Sequence, residues 1–198
     1  MVAIIFSKGM SATFQSAYIA QEKVDSDKIH LIDCENGAMG QSLLVKTAVS
    51  LRDAGKSAKE IEDAIRKLLP QTKTYIVIDT MEYLKRGGRI SKSAALIGGL
   101  MKLHPVLQVV ADGAKPVDKV KGKKSCNAWL VNRLLENPAD PDYPIVIGHS
   151  NAPERAEKLK EQLEEAGVKN PVFVTCIGPV VGTHIGQNSL DTKGIFLE

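Results

Sequence analysis

Short apolar runs rich in β-branched residues recur along this chain, and segments with helical periodicity separate them. The runs span residues 2–6, 29–32, 74–78, 106–110, 144–148 and 171–175. Between the second and third runs, Met39, Leu43, Leu44, Ala48 and Leu51 repeat with the period of about 3.6 residues that an amphipathic helix requires. Strands that alternate with helices in this way predict an α/β fold.

Several helix and strand ends carry recognisable signals. Ser57 followed three residues later by Glu60 predicts a capping box at a helix start, and Pro70 predicts the end of that helix. Asp112 and Gly113 follow an apolar run and are typical of a two-residue hairpin turn. A hairpin joins antiparallel strands, so the second half of the chain should contain a mixed or antiparallel sheet.

The chain is expected to form two α/β domains that divide just after Pro70. The polar stretch Gln71–Lys73 follows that proline, and we therefore place the N-terminal domain at residues 1–72 and the C-terminal domain at residues 73–198. Alternating strands and helices predict a parallel sheet in the first domain. The hairpin predicts a mixed or antiparallel sheet in the second.

Charge and cysteine usage argue against several classes of protein. The formal net charge is only +3, which gives no indication of a nucleic-acid partner. The three cysteines and four histidines lack disulfide-scaffold or metal-ligand spacing, so we expect no metal site and a cytoplasmic location. No apolar run approaches the roughly 20 residues that a membrane span needs.

Two glycine-containing segments that follow strands are the strongest candidates for a ligand site. Residues 7–17 carry Ser11 beside a helix start, where unpaired backbone N–H groups suit an anion. Ser11 therefore either caps the helix or hydrogen-bonds a ligand. Residues 176–189 carry Thr183 and His184 in what three glycines predict to be a specially shaped loop. His184 is either a structural group or the partner of an anion or proton.

The segment 79–103 combines a basic residue with an apolar stretch. Gly87 and Gly88 should end a short helix, and Arg89 follows them, either as a surface salt-bridge partner or as an anion contact. Residues 94–103 are apolar on nearly every side of a predicted helix. This pattern fits either core packing or the wall of an apolar tunnel.

A lysine cluster follows the hairpin, comprising Lys115, Lys119, Lys121, Lys123 and Lys124. The cluster is either a solvated strand-and-turn edge of a sheet or a docking surface for an acidic protein. No aromatic side chain alternates with these lysines before Trp129, which disfavours a single-stranded nucleic-acid site.

Residues 148–152 imitate the nucleophile elbow of serine hydrolases, with Ser150 at the nucleophile position and His184 as the histidine. The acidic residues between them all lie on the helix that begins at the elbow itself. None is therefore placed to orient His184. A serine hydrolase remains an alternative function.

Four segments resemble the DegV family in their order and approximate spacing. They are Ser-Lys-Gly-Met-Ser-Ala-Thr-Phe-Gln-Ser-Ala (7–17), Ile-Asp-Cys-Glu-Asn-Gly-Ala-Met-Gly (32–40), Val-Ile-Asp-Thr-Met-Glu-Tyr-Leu-Lys-Arg-Gly-Gly-Arg-Ile (77–90) and Gly-Pro-Val-Val-Gly-Thr-His-Ile-Gly (178–186). The resemblance covers essentially the whole chain. It implies a two-domain α/β protein without catalysis or cofactor, which holds a long-chain fatty acid in an apolar tunnel. It also implies a separate ATP-dependent fatty acid kinase as partner.

The resemblance assigns roles to particular residues. The implied ligand contacts are Ser11, Thr13, Arg89, Thr183 and His184, and the implied kinase-docking residues are Lys121 and Lys123. The opening strand and a hydroxyl-bearing loop of the family are absent, so we expect a shortened N-terminal domain whose exposed sheet edge favours homo-oligomers. A protein-interaction module without lipid is therefore a second alternative function.

Overall fold

The computed structural model describes residues 1–24, 26–90 and 103–196. In chain order the helices are α1 (Thr13–Gln21), α2 (Met39–Asp53), α3 (Ala58–Leu68), α4 (Glu82–Gly87), α5 (Lys123–Glu136), α6 (Pro153–Glu165) and α7 (Pro179–Ile185). The strands are β1 (Val2–Ile5), β2 (His30–Asp33), β3 (Thr72–Val77), β4 (His104–Val110), β5 (Gly113–Val120), β6 (Ile145–Ser150), β7 (Val172–Cys176) and β8 (Ser189–Ile195). The apolar helix expected near residues 94–103 falls on residues outside the described ranges.

Two sheets organise the fold. β1 and β2 form a parallel pair, and a six-stranded sheet has the order β5-β4-β3-β8-β6-β7. In the larger sheet β6 and β7 are parallel, whereas the other neighbouring strands are antiparallel. The predicted α/β class, with a parallel sheet first and a mixed sheet afterwards, is confirmed.

The helix-end signals act as expected, and the predicted hairpin forms with its turn shifted by one residue. Ser57 Oγ accepts a hydrogen bond from Glu60 N at 3.3 Å, and Glu60 Oε2 accepts one from Ser57 N at 2.9 Å. This capping box starts α3, which buries Ile61, Ile65 and Leu68. The hairpin also forms, but Val110 pairs with Gly113, so its turn residues are Ala111 and Asp112 rather than the predicted Asp112 and Gly113.

Three elements differ from the sequence-based expectations. The predicted loop at 176–189 is wrong in part, because Gly178 and Pro179 begin helix α7. Residues 189–195, for which no strand was predicted, form the fully buried strand β8. The lysine cluster was interpreted either as a strand-and-turn edge or as a docking surface; Lys115 and Lys119 lie on the edge strand β5. Lys123 and Lys124 instead begin helix α5, which was not predicted and which buries Cys126, Leu130 and Leu134 on one face.

The strand β8 connects the two sheets through a shared apolar core. Ile195 of β8 belongs to the same buried cluster as Ile32 of β2 and Leu43 and Leu44 of α2. The side chains of α2 therefore pack on both the small sheet and the large one. This packing places the start of α2 next to the middle of β8.

Candidate ligand-binding site

A cavity of about 410 Å³ lies between the early turn at residues 7–11, the start of α2 and the helices α4 and α7. Its apolar walls include Phe6, Met10, Ile76, Leu84, Val109, Val180, Val181 and Ile185. Its polar wall residues are Ser11, Thr13, Gln41, Arg89, His184, Asp191 and Lys193. A mostly apolar cavity of this size with a few polar groups has the character of a small-molecule site.

The structure brings together four of the residues implied as ligand contacts. Ser11, Thr13, Arg89 and His184 all line the cavity. Thr183 is exposed and outside the lining, and its Oγ1 donates a hydrogen bond to Val180 O at 2.9 Å. Lys121 and Lys123 are also exposed and lie outside the cavity wall.

The early turn is held against the β4–β5 hairpin. Met10 N and Ser11 N both donate to Ser7 O at 3.0 Å, and the buried Ser7 donates from Oγ to Ala111 O at 2.5 Å. A Cβ added at Gly9 would overlap Ala111 O, so only glycine allows this close approach. The hairpin therefore fixes the position of Ser11.

The Ser11 hydroxyl does not act as a standard helix cap. The N-cap residue of α1 is Ala12, and no side chain caps that helix. Ser11 Oγ lies 2.9 Å from Thr13 Oγ1 and accepts a hydrogen bond from Thr13 N at 3.2 Å. The two hydroxyls therefore form an adjacent pair on the cavity wall, at the start of α1.

Arg89 links the early turn to the end of α4. Its Nε donates to Met10 O at 3.1 Å, and its Nη1 donates to Gly87 O at 2.5 Å. Both acceptors are neutral carbonyls, and the structure records no carboxylate partner for Arg89 among the residues it describes. The guanidinium charge on the cavity wall is therefore suited to an anion.

His184 lies directly against the backbone at the end of α4. A Cβ added at Gly87 would overlap His184 Nδ1, and a Cβ added at Gly186 would overlap the ring of Tyr83. These two glycines allow α4 and α7 to approach closely and fix the position of the imidazole. Gly88, in the left-handed conformation with φ of 66°, ends α4 immediately afterwards.

Replacing Gly87 with alanine should displace His184 from the cavity wall, because the new methyl group would occupy the position of the imidazole. If His184 contacts the ligand, the affinity of the protein for that ligand should then fall roughly tenfold. A displacement titration with a fluorescent ligand would measure this change. Gly178→Ala is the matched control, since a Cβ there meets no atom within 4 Å. Equal ligand affinity in the two variants would contradict this account of Gly87.

Two polar wall residues, Asp191 and Lys193, were not expected from the sequence. Both lie on β8, and each residue is only 1% exposed. Lys193 Nζ donates to Gly37 O at 2.8 Å and lies 3.5 Å from Asp191 Oδ2, while Asp191 Oδ1 accepts from Gly148 N at 2.7 Å. The segment 189–195 gives little sequence signal for a buried strand, because Asp191, Thr192 and Lys193 are three consecutive polar residues.

Burial governs the protonation of the groups around this ion pair. It lowers the pKa of Lys193, although the nearby Asp191 carboxylate opposes the change. Burial also raises the pKa of Cys34 to about 11, so this thiol stays neutral near pH 7 and donates to Asn36 O at 2.9 Å. Because the Cys34 thiol is neutral, the negative charge beside Lys193 comes from the Asp191 carboxylate.

The start of α2 provides another part of the wall. Its N-cap residue Ala38 has φ of 46° and ψ of −115°, a conformation that residues with a side chain rarely adopt. No side chain caps the helix, so its N-terminal end, with its positive dipole, lies uncapped beside the cavity. Gly37 packs on the Phe6 ring, where a Cβ would overlap the ring atoms.

The geometry gives little support to the serine hydrolase alternative. His184 lines the cavity, but Ser150 is not part of the lining. The left-handed backbone of the turn after β6 falls on Asn151, with φ of 53°, and not on Ser150. The strained position that a nucleophile elbow requires is thus taken by a residue without nucleophilic chemistry.

Neither a metal-binding cluster nor a membrane-spanning helix is present within residues 1–24, 26–90 and 103–196. No group of three or more histidine, cysteine, aspartate or glutamate side chains in these ranges could hold a metal ion. None of the helices there has both the length and the apolar character needed to cross a membrane.

The chain has clear relatives among known proteins. A family model described as an uncharacterised protein of the DegV family matches residues 1–196. The DegV domain-containing protein YteA of Lactococcus lactis is 35% identical over 197 residues, which cover 96% of this chain and 68% of that protein.

Solved structures of the same family share the fold. The fatty acid binding DegV family protein SAG1342 of Streptococcus agalactiae is 26% identical with a TM-score of 0.83 and covers 99% of this chain and 71% of its own. The Fak B3 protein of the Streptococcus pneumoniae fatty acid kinase, loaded with linoleic acid, is 21% identical with a TM-score of 0.86. It covers 99% of this chain and 71% of its own.

Proposed function

Because this chain belongs to the DegV family, we propose that it carries a long-chain fatty acid in the cavity beside Ser11, Arg89 and His184. The carboxylate would lie against these three side chains, and the acyl chain would occupy the apolar part of the cavity. The observation that carries this proposal is the presence of an anion-suited group of side chains on the wall of a mostly apolar cavity.

The energetics of burial favour such a ligand. A carboxylate buried without hydrogen bonds is costly, but Ser11, Arg89 and His184 together offer hydroxyl, guanidinium and imidazole donors. Each buried CH₂ group of the acyl chain contributes about 0.8 kcal/mol. Binding through a long apolar chain therefore needs only a few polar contacts to fix its orientation.

Relatives support this choice of ligand and of partner. One is described as fatty acid binding, and another, named as part of a fatty acid kinase, is loaded with linoleic acid. We propose that this chain is a carrier, which presents the acid to a separate ATP-dependent kinase. Its exposed Lys121 and Lys123 would contact that kinase. The proposed domains, 1–72 and 73–198, both contribute residues to the cavity wall.

The test is to identify what the purified protein holds and what it binds. Mass spectrometry of a denatured sample should detect a co-purified long-chain acid, and a delipidated sample should take up octadecanoic acid. The methyl ester of the same acid, which has the same chain but no charge, should bind at least about tenfold more weakly. An empty extract together with no uptake of the free acid would refute the carrier function.

A further inference from the structure

The strand β8 places a charged pair on the wall of an otherwise mostly apolar cavity. Asp191 and Lys193 alternate with Thr192 along β8, so both side chains point to the same face of the sheet. That face lines the cavity. β8 lies between β3 and β6 in the centre of the sheet, where a buried lysine is rare unless it is paired.

The recorded contacts leave hydrogen-bonding capacity at this pair. An ammonium group has three donors, and Lys193 Nζ has two recorded acceptors within the described ranges, Gly37 O and Asp191 Oδ2. The Asp191 carboxylate accepts one backbone hydrogen bond, from Gly148 N, and contacts Lys193. Counting partners only in residues 1–24, 26–90 and 103–196, one donor and several acceptor sites therefore remain at this pair.

The charge of the pair determines which ligand group it suits. The positive Lys193 and the negative Asp191 largely compensate one another, so a second carboxylate would be repelled by Asp191 about as much as Lys193 attracts it. A hydroxyl group is neutral and both donates and accepts, so it can bond to both members of the pair. A plain methylene group can bond to neither.

We propose, on the basis of the proposed carrier function, that Asp191 and Lys193 form a second recognition point in the cavity. Its ligand is a hydroxyl group on the acyl chain, away from the carboxylate. The preferred ligand class of this chain is therefore a hydroxylated long-chain fatty acid. Ser11, Arg89 and His184 hold the carboxylate, and the ion pair selects the substituted chain.

The test compares octadecanoic acid with a set of monohydroxyoctadecanoic acids that carry the hydroxyl at successive positions. Each competes with a fluorescent fatty acid for the delipidated protein. At least one hydroxy acid should bind roughly tenfold or more tightly than octadecanoic acid, although a purely apolar cavity would disfavour all of them. The double variant D191N/K193M should reverse this preference. The amide oxygen of its new asparagine can still accept the hydrogen bond from Gly148 N.

The variant S11A, compared with D191N/K193M, distinguishes recognition of the hydroxyl group from the carrier function. S11A should weaken both ligands by a similar factor and leave their ratio unchanged. If D191N/K193M fails to fold, as judged by circular dichroism, the affinity ratio of hydroxylated to plain acid in the wild-type protein decides the inference. Equal or weaker binding of every hydroxy acid by the wild-type protein would overturn the inference and leave the carrier function intact. Failure to bind any of the acids would overturn both.

Discussion

Replacing Asp191 with alanine is expected to lower the free energy of unfolding by about 3–5 kcal/mol, the cost of leaving a buried charge without its partner. Lys193 would keep the Gly37 carbonyl as its recorded acceptor but would lose the opposite charge. Gly148 N would also lose its acceptor. Urea denaturation monitored by circular dichroism measures the change.

The loss of stability in this variant should depend on pH. Burial already lowers the pKa of Lys193 in the folded protein, and removal of Asp191 should lower it further, while the pKa in the unfolded chain is unchanged. Between the two values the unfolded state binds more protons, so the stability of the variant rises with pH. The deficit relative to the wild type is therefore largest below the folded-state pKa of Lys193 in the variant, and it shrinks as the pH rises from that value to the folded-state pKa of Lys193 in the wild type.

The double variant D191N/K193M is the control, because it removes both charges together. It should recover most of the lost stability, since a neutral buried pair leaves no isolated ion. If the single and double variants unfold at the same urea concentration, or if the deficit of D191A is independent of pH, the ion pair does not have the stabilising role described here.

The combined variant S11A/H184A is expected to bind octadecanoic acid roughly 100-fold or more weakly than the wild type. Each hydrogen bond to a charged group contributes about 1.5–3 kcal/mol, and both donors lie on the wall of the same cavity. The methyl ester should lose much less affinity, because it has no charge for these donors to stabilise. A displacement titration with both ligands measures the difference.

Thr183→Ala is the matched control for the residue next to His184. Its hydroxyl is exposed and donates to Val180 O, and Thr183 itself is not part of the cavity wall, so we expect affinity within about twofold of the wild type. A large loss in this variant would restore Thr183 as the ligand contact that the family resemblance implied. Unchanged binding in S11A/H184A would instead remove the proposed carboxylate site.

The features that were predictable from sequence are those set by local physical chemistry. The capping box of Ser57 and Glu60 and the hairpin near Asp112 depend on neighbouring residues. The capping box forms as expected, and the hairpin forms with its turn at residues 111–112, one position earlier than predicted. The two strand-following segments with Ser11 and His184 could be identified from glycines and from family motifs. That both residues line one cavity became evident only from the fold.

The missed features depend on contacts between residues that are distant in sequence. The segment 189–195 carries charge and glycine, so its composition favours an exposed or irregular segment, yet every residue is buried in β8. Lys193 is tolerated there because Gly37, from a segment more than 150 residues earlier in the chain, supplies an acceptor. Likewise, α5 has a helical repeat in Cys126, Leu130 and Leu134, which the neighbouring lysines obscured.

The central position of β8 has a consequence for how the protein matures in the cell. β8 follows every other described element in sequence, yet it lies between β3 and β6 and pairs with both. Until β8 has been synthesised and has left the ribosomal exit tunnel, β3 and β6 lack this common neighbour, and the strand edges they expose invite aggregation. The same strand carries Asp191 and Lys193, so the cavity wall should be complete only after β8 has inserted between β3 and β6.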